Sequence, residues 1–135
     1  MDRQGVREIR VVTWWHEVLN GGEIDRLLEL SHPDVEVGGP RGTGRGSALL
    51  RDWVNRAGIH LTPKRFFYSD GTVVVEQEAV WPSDDHAVTA SPQTVASVFR
   101  VREDHVAGVV RYEDLASALD AAGIDAAKEI EVGRR

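Results

Sequence analysis

Three charged residues have types and spacing that suit acid–base chemistry. Glu76 and Glu78 alternate within the run VVVEQEAV, so in a β-strand they share one face. Arg111 follows the alternation of Ala107 and Val109 in a later apolar run. A neighbouring Arg lowers the pKa of a carboxylate, whereas a second carboxylate raises one pKa of the pair. Together the three are candidate catalytic residues, with a glutamate as general base and Arg111 as its electrostatic partner.

The same three residues also fit two other roles. The cluster would equally bind an anionic or hydroxylated ligand without reaction. Alternatively, glutamates at alternate strand positions commonly form a solvated sheet face, and Arg111 would then be their cross-strand ion partner. Residue types alone leave these alternatives open.

Aromatic residues are the candidates for a ligand pocket. Trp15 and Trp53 lie in predicted helices, where tryptophans are more often core or interface residues, although one or two usually reach a pocket in a small domain. His60 opens a predicted strand and is a candidate for the cavity mouth, with a surface or core position as the alternative. The other histidines show no metal-ligand spacing, so we expect no metal and no cofactor; they are His16, His32, His86 and His105.

Composition narrows the class of protein. At 135 residues we expect one domain, over 1–123, followed by a frayed tail over 124–135. The absence of cysteine excludes thiol catalysis, thiolate zinc sites and disulfide scaffolds. A net charge of -6 without a basic block disfavours nucleic acid as a partner. The N-terminus is charged and no apolar run is long enough to span a bilayer, so we expect a cytoplasmic protein without membrane contact.

Hydrophobic periodicity predicts helices first and strands later. Apolar residues at spacings of three and four predict helices, which end at glycine or proline. Runs rich in Val, Phe, Tyr, Trp and Thr predict an antiparallel sheet joined by hairpins, one of them over Pro82 to Pro92. The predicted helices are Val6 to Leu19, a short one from Glu23 that ends at His32-Pro33, Ala48 to Ala57, and Leu115 to Ala122. The predicted strands are Asp34 to Gly39, His60 to Tyr68, Thr72 to Trp81, Gln93 to Arg102, and His105 to Tyr112.

Three stretches carry a resemblance to a known family: LNGGEIDRLLELSHPDVEV, GPRGTGRGSALLRDW and VVRYEDLASAL. In this order they resemble the nuclear transport factor 2-like superfamily, which includes ketosteroid isomerases, limonene-epoxide hydrolases and SnoaL-like polyketide cyclases. The resemblance implies an α+β cone, in which a curved antiparallel sheet packs against three N-terminal helices and a short C-terminal helix follows. It also implies a small-molecule pocket inside the cone and a homodimer contact on the convex face.

Comparison with two enzyme types of that superfamily tests possible reactions. The resemblance places Val37 where the isomerases have a proton-shuttling Asp, and places Trp15 and Thr94 near their two oxyanion-stabilising groups. Val cannot carry a proton, so steroid isomerisation is disfavoured. In the epoxide hydrolases two aspartates and an arginine activate water. Glu76 falls near that arginine, Glu78 near the first aspartate and Arg111 at the second, so the charges are permuted.

Two functional hypotheses follow. In the first, the protein is a hydrolase, cyclase or isomerase that acts on an apolar, oxygenated metabolite. In the second, it is a non-catalytic ligand-binding or dimerisation module. In either case the expected ligand-binding residues are Trp15, Val37, Trp53 and His60. We expect a homodimer because the strand Thr72 to Trp81 is apolar on both faces and therefore needs cover on both.

Overall fold

The computed structural model describes residues 5–39, 42–57, 60–80 and 93–130. Within these ranges the helices are α1 (Val6–Asn20), α2 (Ile24–Glu29), α3 (Ser47–Ala57), α4 (Leu115–Ala122) and a short 3-10 helix (Ala126–Lys128). The strands are β1 (Ser31–Gly39), β2 (Gly42–Arg45), β3 (His60–Ser69), β4 (Thr72–Val80), β5 (Gln93–Arg102), β6 (His105–Tyr112) and β7 (Glu129–Ile130). The predicted hairpin at 82–92 and residue Trp81 lie outside the described residues.

All seven of these strands form one sheet in the order β2-β1-β6-β5-β4-β3-β7. The predicted α+β class is therefore confirmed. The sheet is mixed, however, because β1 runs parallel to β6 with Val37 opposite Val109. The strands β3 to β6 pair antiparallel in chain order, as expected.

The two faces of the sheet pack against different parts of the chain. The inner face, defined as the side toward α1, α2 and α3, forms the larger core cluster. Trp15 of α1 meets Phe99 of β5 there, with ring centroids 5.2 Å apart. The outer face, defined as the opposite side, forms a second cluster under α4, where Val74 and Val98 contact Ala118 and Leu119. The hydrophobic effect thus holds helices on both sides of the sheet.

The C-terminal segment packs against the rest of the chain over residues 124–130, whereas the frayed tail expected from the sequence stays a prediction. Ile124 is buried in the second cluster. Farther along, β7 pairs antiparallel with Phe66 and Phe67 of β3. Arg65 fixes this strand by donating two hydrogen bonds to the carboxylate of Glu129, each 3.0 Å long. Residues 131–135 lie outside the described part of the chain.

Helix α4 covers part of the outer face of β4, the strand from which the homodimer is predicted. Both faces of β4 do carry apolar residues, but Val74 on the outer face is covered by α4 of the same chain. No second copy is needed to bury that residue. The homodimer stays a prediction that needs other support.

Several element boundaries differ from the sequence prediction. β1 begins at Ser31, so His32 and Pro33 belong to a strand and do not end α2 at that point. The glycine-rich run after β1 has a composition typical of a turn, but it forms a strand, β2. Gly38 lies so close to Thr43 of β2 that an added Cβ would collide with the threonine methyl. Glycine therefore permits a close strand approach that composition alone presents as a loop.

One side chain at the end of α1 binds the backbone of the second residue of β3. The amide of Asn20 donates to the backbone oxygen of Leu61 at 2.8 Å and accepts from its backbone N–H at 2.9 Å. The side chain thus takes the place of a neighbouring strand at this residue. It fixes the position of β3 relative to the helix that covers the inner face.

The ordered C-terminal segment can be tested by two isoleucine truncations. Ile124 is 7% exposed, whereas Ile130 is 37% exposed. We expect Ile124→Ala to lower the free energy of unfolding by about 2–4 kcal/mol, since it deletes buried methyl groups. The matched control Ile130→Ala should cost less than about 1 kcal/mol. Chemical denaturation measures both, and equal small effects would show that Ile124 is not packed in solution.

Candidate functional site

Glu76 and Glu78 lie on the outer face of the sheet. They share one side of β4, as predicted, and each contacts a basic residue of the neighbouring strand β3. Glu76 lies 3.7 Å from a guanidinium nitrogen of Arg65, and Glu78 lies 3.9 Å from the ammonium of Lys64. These are cross-strand ion pairs on a partly exposed sheet surface, where such contacts contribute little stability.

Arg111 lies on the inner face, away from both glutamates. It stands opposite Ser97 in the β5–β6 ladder, and Ser97 stands opposite Val75 in the β4–β5 ladder. Residues directly opposite one another share a face, and the next residue, Glu76, points to the other side. The predicted cluster of Glu76, Glu78 and Arg111 is therefore wrong as a single site, because the register separates its carboxylates from its cation by the thickness of the sheet.

A chain of buried polar side chains crosses the inner face. Ser97 donates a hydrogen bond of 2.9 Å from its hydroxyl to Oε1 of Gln77. Nε2 of Gln77 lies 2.8 Å from Nε2 of His16. On the other side of the ring, Nδ1 of His16 lies 2.8 Å from the backbone oxygen of Val12. Because a carbonyl oxygen only accepts, His16 carries its proton on Nδ1 and accepts from Gln77 through Nε2. The neighbours thus fix one neutral tautomer.

Burial keeps His16 neutral. Its side chain is 1% exposed, and loss of hydration lowers its pKa from the ordinary 6.5 to about 4, although the hydrogen bond to Val12 acts in the opposite direction. Desolvation disfavours the charged form of a buried imidazole. Protonation would also turn Nε2 into a donor that faces the amide donor of Gln77. His16 is accordingly a neutral hydrogen-bonding group near neutral pH.

Arg111 extends this chain toward the edge of the core. We call His16, Gln77, Ser97 and Arg111 the inner-face row, because they follow one another across α1, β4, β5 and β6. Partial burial lowers the pKa of the Arg111 guanidinium, which still stays charged at any physiological pH. The row therefore runs from a neutral, enclosed imidazole to a half-buried cation.

The backbone beside Arg111 is free of side-chain bulk on one flank. Gly39 ends β1 next to it, and a Cβ built on Gly39 would stand 3.8 Å from the backbone oxygen of Arg111. β6, β1 and β4 all finish at this end of the sheet, where β5 and β3 begin. The cationic end of the inner-face row thus lies at the end of the sheet where several connections meet, a frequent place for binding residues.

The four predicted ligand-binding residues have different surroundings. Trp15 has no accessible surface, and its indole N–H donates to the hydroxyl of Ser31 at 3.2 Å. Val37 is also buried, so both residues belong to the core. Trp53 is half-buried against the same core. His60 is exposed at the start of β3.

Sequence reasoning missed His16 and Gln77, although weak signals were present. His16 directly follows Trp15 on the buried side of α1, where a polar residue requires a partner. Gln77 separates the two glutamates, and strand alternation alone predicts that it faces the opposite side. The side that Gln77 faces is the enclosed one, which depends on contacts between distant elements.

Two further observations limit the chemistry of the described residues. Among the residues that the structure describes, no group of three or more His, Cys, Asp or Glu is placed to hold a metal ion. Over the same ranges, no helix is both long and apolar enough to cross a membrane.

Comparison with known proteins gives both a family and a set of structural neighbours. The model of the SnoaL-like domain matches residues 12–109. A comparison with curated proteins finds no match.

Solved structures with the same fold include three that illustrate its range. One is SalBIII, an epoxide hydrolase/cyclase-like enzyme of pyran ring formation in the polyether salinomycin, with TM-score 0.72, 14% identity and coverage of 95% of this chain and 98% of that chain. Another is TerC co-crystallised with polyporic acid, with TM-score 0.70, 20% identity and coverage of 82% and 94%. A third is an NTF2-like protein of unknown function from Burkholderia pseudomallei, with TM-score 0.70, 16% identity and coverage of 84% and 95%. At these identities the likeness concerns the fold alone.

The buried histidine predicts a defined pH dependence of stability. The folded pKa of His16 is lowered to about 4 from 6.5, so the unfolded chain takes up this proton first as the pH falls. Its contribution is complete above pH 6.5 and is lost as the pH falls to about 4. The loss reaches about 3 kcal/mol, since each pH unit between the two values changes the free energy of unfolding by about 1.4 kcal/mol.

Two substitutions isolate this contribution from the other titrating groups. Chemical denaturation from pH 4 to pH 7 should show a smaller slope for His16→Gln than for the unchanged chain. His60→Gln, at an exposed histidine, should leave the slope unaltered. Direct NMR titration of the His16 ring gives the same answer if the variant folds poorly. A ring pKa near 6.5 would contradict the buried, neutral assignment.

Proposed function

The chain belongs to the SnoaL-like domain family, and we propose that it binds an apolar, oxygenated small molecule at the inner face of its sheet beside Arg111. The binding group is the half-buried guanidinium at the end of the inner-face row. The proposed activity is that of a cyclase or isomerase on this ligand, with a non-catalytic ligand-binding module as the alternative. The family carries unrelated activities on one fold, so a particular activity depends on the residues of the site.

The observation that carries the proposal is the placement of one cation against a neutral polar row in an apolar wall. Arg111 stands opposite Ser97, whose hydroxyl is already engaged by Gln77. Val109 lies two residues before Arg111 on the same face and is buried, as is Phe99 beside it in the ladder. An oxygen atom of a ligand is attracted to the half-buried guanidinium, while the buried Val109 and Phe99 form the apolar core behind that group.

This arrangement favours chemistry in which negative charge develops on an oxygen. A preorganised guanidinium in a partly water-excluded site stabilises an enolate or alkoxide more strongly than it would in water. Ring closures and isomerisations that begin with the loss of a proton pass through such species, and the proton then goes to solvent or to another group of the substrate. Electrostatic stabilisation by Arg111 is thus the step that we assign to this chain.

Activation of water is less well supported, because it needs a general base. On the described strands, the carboxylates of β1 and β4 lie on the outer face, where Glu36 contacts Arg100 at 3.8 Å and Glu76 contacts Arg65. His16 has the chemistry of a base, but it is enclosed and both of its ring nitrogens are engaged. Formation of an enolate or alkoxide also needs a group that takes up a proton, so this observation counts against a hydrolase, a cyclase and an isomerase alike and favours the non-catalytic alternative.

The structural neighbours are compatible with a ligand of this kind. TerC was crystallised with polyporic acid, and SalBIII is described as an epoxide hydrolase/cyclase-like enzyme. Both carry the same fold as this chain at low identity. They supply probes for an experiment, while the chemistry of the inner face supplies the argument.

Substitution of Arg111 tests the binding proposal. We expect polyporic acid, or a hit from a thermal-shift panel of hydroxylated aromatic and terpenoid compounds, to raise the melting temperature of the unchanged chain. Arg111→Gln should weaken that binding at least about tenfold, since a charge-assisted hydrogen bond contributes about 1.5–3 kcal/mol. Calorimetric titration gives the dissociation constants.

Glu76→Gln and Glu78→Gln are the matched controls, because both residues lie on the outer face. Each should bind the same compound as tightly as the unchanged chain. Loss of binding in these variants with retention in Arg111→Gln would overturn the inner-face proposal. A panel without any hit at millimolar concentration would also count against it.

Product analysis separates the enzyme from the binding module. A compound that binds beside Arg111 is incubated with the protein and then examined by mass spectrometry and NMR. A new isomer that forms with the unchanged chain, but not with Arg111→Gln, identifies an isomerase or cyclase. Unaltered compound recovered after many hours identifies a binding module.

We also propose that the chain forms a homodimer through the part of the outer face that α4 leaves open. That part carries Lys64 paired with Glu78 and Arg65 paired with Glu76. Opposite charges side by side can pair with the same charges of a second copy related by a two-fold axis. Such a contact is polar, and added salt should weaken it.

Light scattering at micromolar protein concentration tests this assembly. A dimeric mass at low salt that shifts toward the monomer at high salt would support the polar contact. Lys64→Glu should weaken the dimer, because it places like charges beside Glu78. A monomeric mass at all salt concentrations would exclude the homodimer.

A further inference from the structure

Two histidines that are far apart in the sequence meet at the end of the sheet remote from Arg111. His32 is the second residue of β1, and His105 is the first residue of β6. The parallel pairing of Ser31 with Val106 brings these strand starts together. The two ring centroids are 5.5 Å apart, with an angle of 48° between the ring planes.

Each ring has one nitrogen engaged by a backbone carbonyl. Nε2 of His32 lies 2.9 Å from the oxygen of Arg102, and Nδ1 of His105 lies 2.8 Å from the oxygen of Glu103. Carbonyl oxygens only accept, so these two nitrogens carry the protons of the neutral rings. Nδ1 of His32 and Nε2 of His105 are then the atoms with a lone pair to offer. Metal-binding histidines typically show this arrangement, in which a carbonyl orients the ring from behind.

The spacing of the rings matches that of two imidazoles on one metal ion. A metal–nitrogen distance of about 2.0–2.1 Å puts each ring centroid about 3.2 Å from the metal. Two such rings at a near-tetrahedral angle have centroids about 5.2 Å apart. The observed distance between the ring centroids is 5.5 Å. A small rotation of either side chain would remove the difference.

We propose that His32 and His105 form a two-histidine binding site for a transition-metal ion that prefers imidazole, such as Zn²⁺, Ni²⁺ or Cu²⁺. Water completes the coordination, because no third His, Cys, Asp or Glu of the described residues joins the pair. The site is independent of the function proposed for the inner face. It was not expected from sequence, where the two residues show no ligand spacing.

The surrounding charges suit a cation without competing for it. Glu103 and Asp104 form the turn between β5 and β6, with Asp104 3.5 Å from Arg7. Asp34, two residues after His32, lies 3.9 Å from Arg102. These carboxylates lower the electrostatic cost of a bound cation, while their own ion pairs are exposed and weak.

A bound ion would add to the backbone pairing and side-chain contacts that already join two parts of the fold. It would tie the entry of β1 to the turn between β5 and β6. Because the metal binds the folded chain and not the unfolded one, it should raise the melting temperature in proportion to the logarithm of its concentration.

Titration of the full chain with ZnCl₂, NiCl₂ and CuCl₂ tests the site. We expect one ion per chain, with a micromolar dissociation constant for at least one of the three metals at pH 7.5. His32→Ala and His105→Ala should each weaken that binding at least tenfold. His60→Ala, which removes an exposed histidine on β3, should leave it unchanged.

NMR of the unchanged chain gives a result that does not depend on how the variants fold. Added Zn²⁺ should shift the ring signals of His32 and His105 together and leave those of the enclosed His16 in place. Equal metal affinity in His32→Ala, His105→Ala and the unchanged chain would overturn the proposal. Absence of binding at millimolar metal would overturn it as well.

Discussion

Successive side chains of a β-strand point to opposite faces of the sheet, and this alternation in β4 governs the chemistry of the whole protein. Glu76, Gln77 and Glu78 are consecutive, yet the amide faces the helices and the two carboxylates face the outer surface. The same alternation in β6 puts Arg111 on the side of Gln77. The inner face thus holds neutral polar groups and a cation, whereas the acidic groups of β4 pair with bases outside. A one-residue shift of this strand would exchange the two sets and bury both carboxylates.

Local patterns predicted most of the architecture, because they depend on neighbours in sequence. The bounds of β5 and β6 and the helix α4, capped by Asp114 through a 2.8 Å hydrogen bond from the N–H of Ser117, follow from composition and capping rules. The parallel pairing of β1 with β6 could not be predicted in this way, because it joins residues that are far apart in the sequence, such as Val37 and Val109. The C-terminal segment was missed for a similar reason: Ile124 and Glu129 gain their order from contacts with β3 to β5.

The candidate site shows the same division more sharply. The shared face of Glu76 and Glu78 was predictable, because it depends on strand periodicity alone. The cation that pairs with each glutamate depends on the alignment of several strands. In the observed register Glu76 and Glu78 pair with Arg65 and Lys64, and Arg111 lies on the other face. Histidine chemistry was equally hidden: the tautomer of His16 is set by Val12 on one side and Gln77 on the other.

The two hydrogen bonds between the Asn20 side chain and the Leu61 backbone affect how readily the protein aggregates in a crowded solution. An exposed strand edge offers unpaired N–H and C=O groups to the strands of other molecules, which is a common route to aggregation. On β3 the amide of Asn20 occupies both backbone groups of Leu61, and Pro63 has no N–H to offer. Farther along the same edge, β7 covers Phe66 and Phe67. Three features therefore block strand pairing between molecules at this edge. They are the side chain of Asn20, the proline at position 63 and the strand β7.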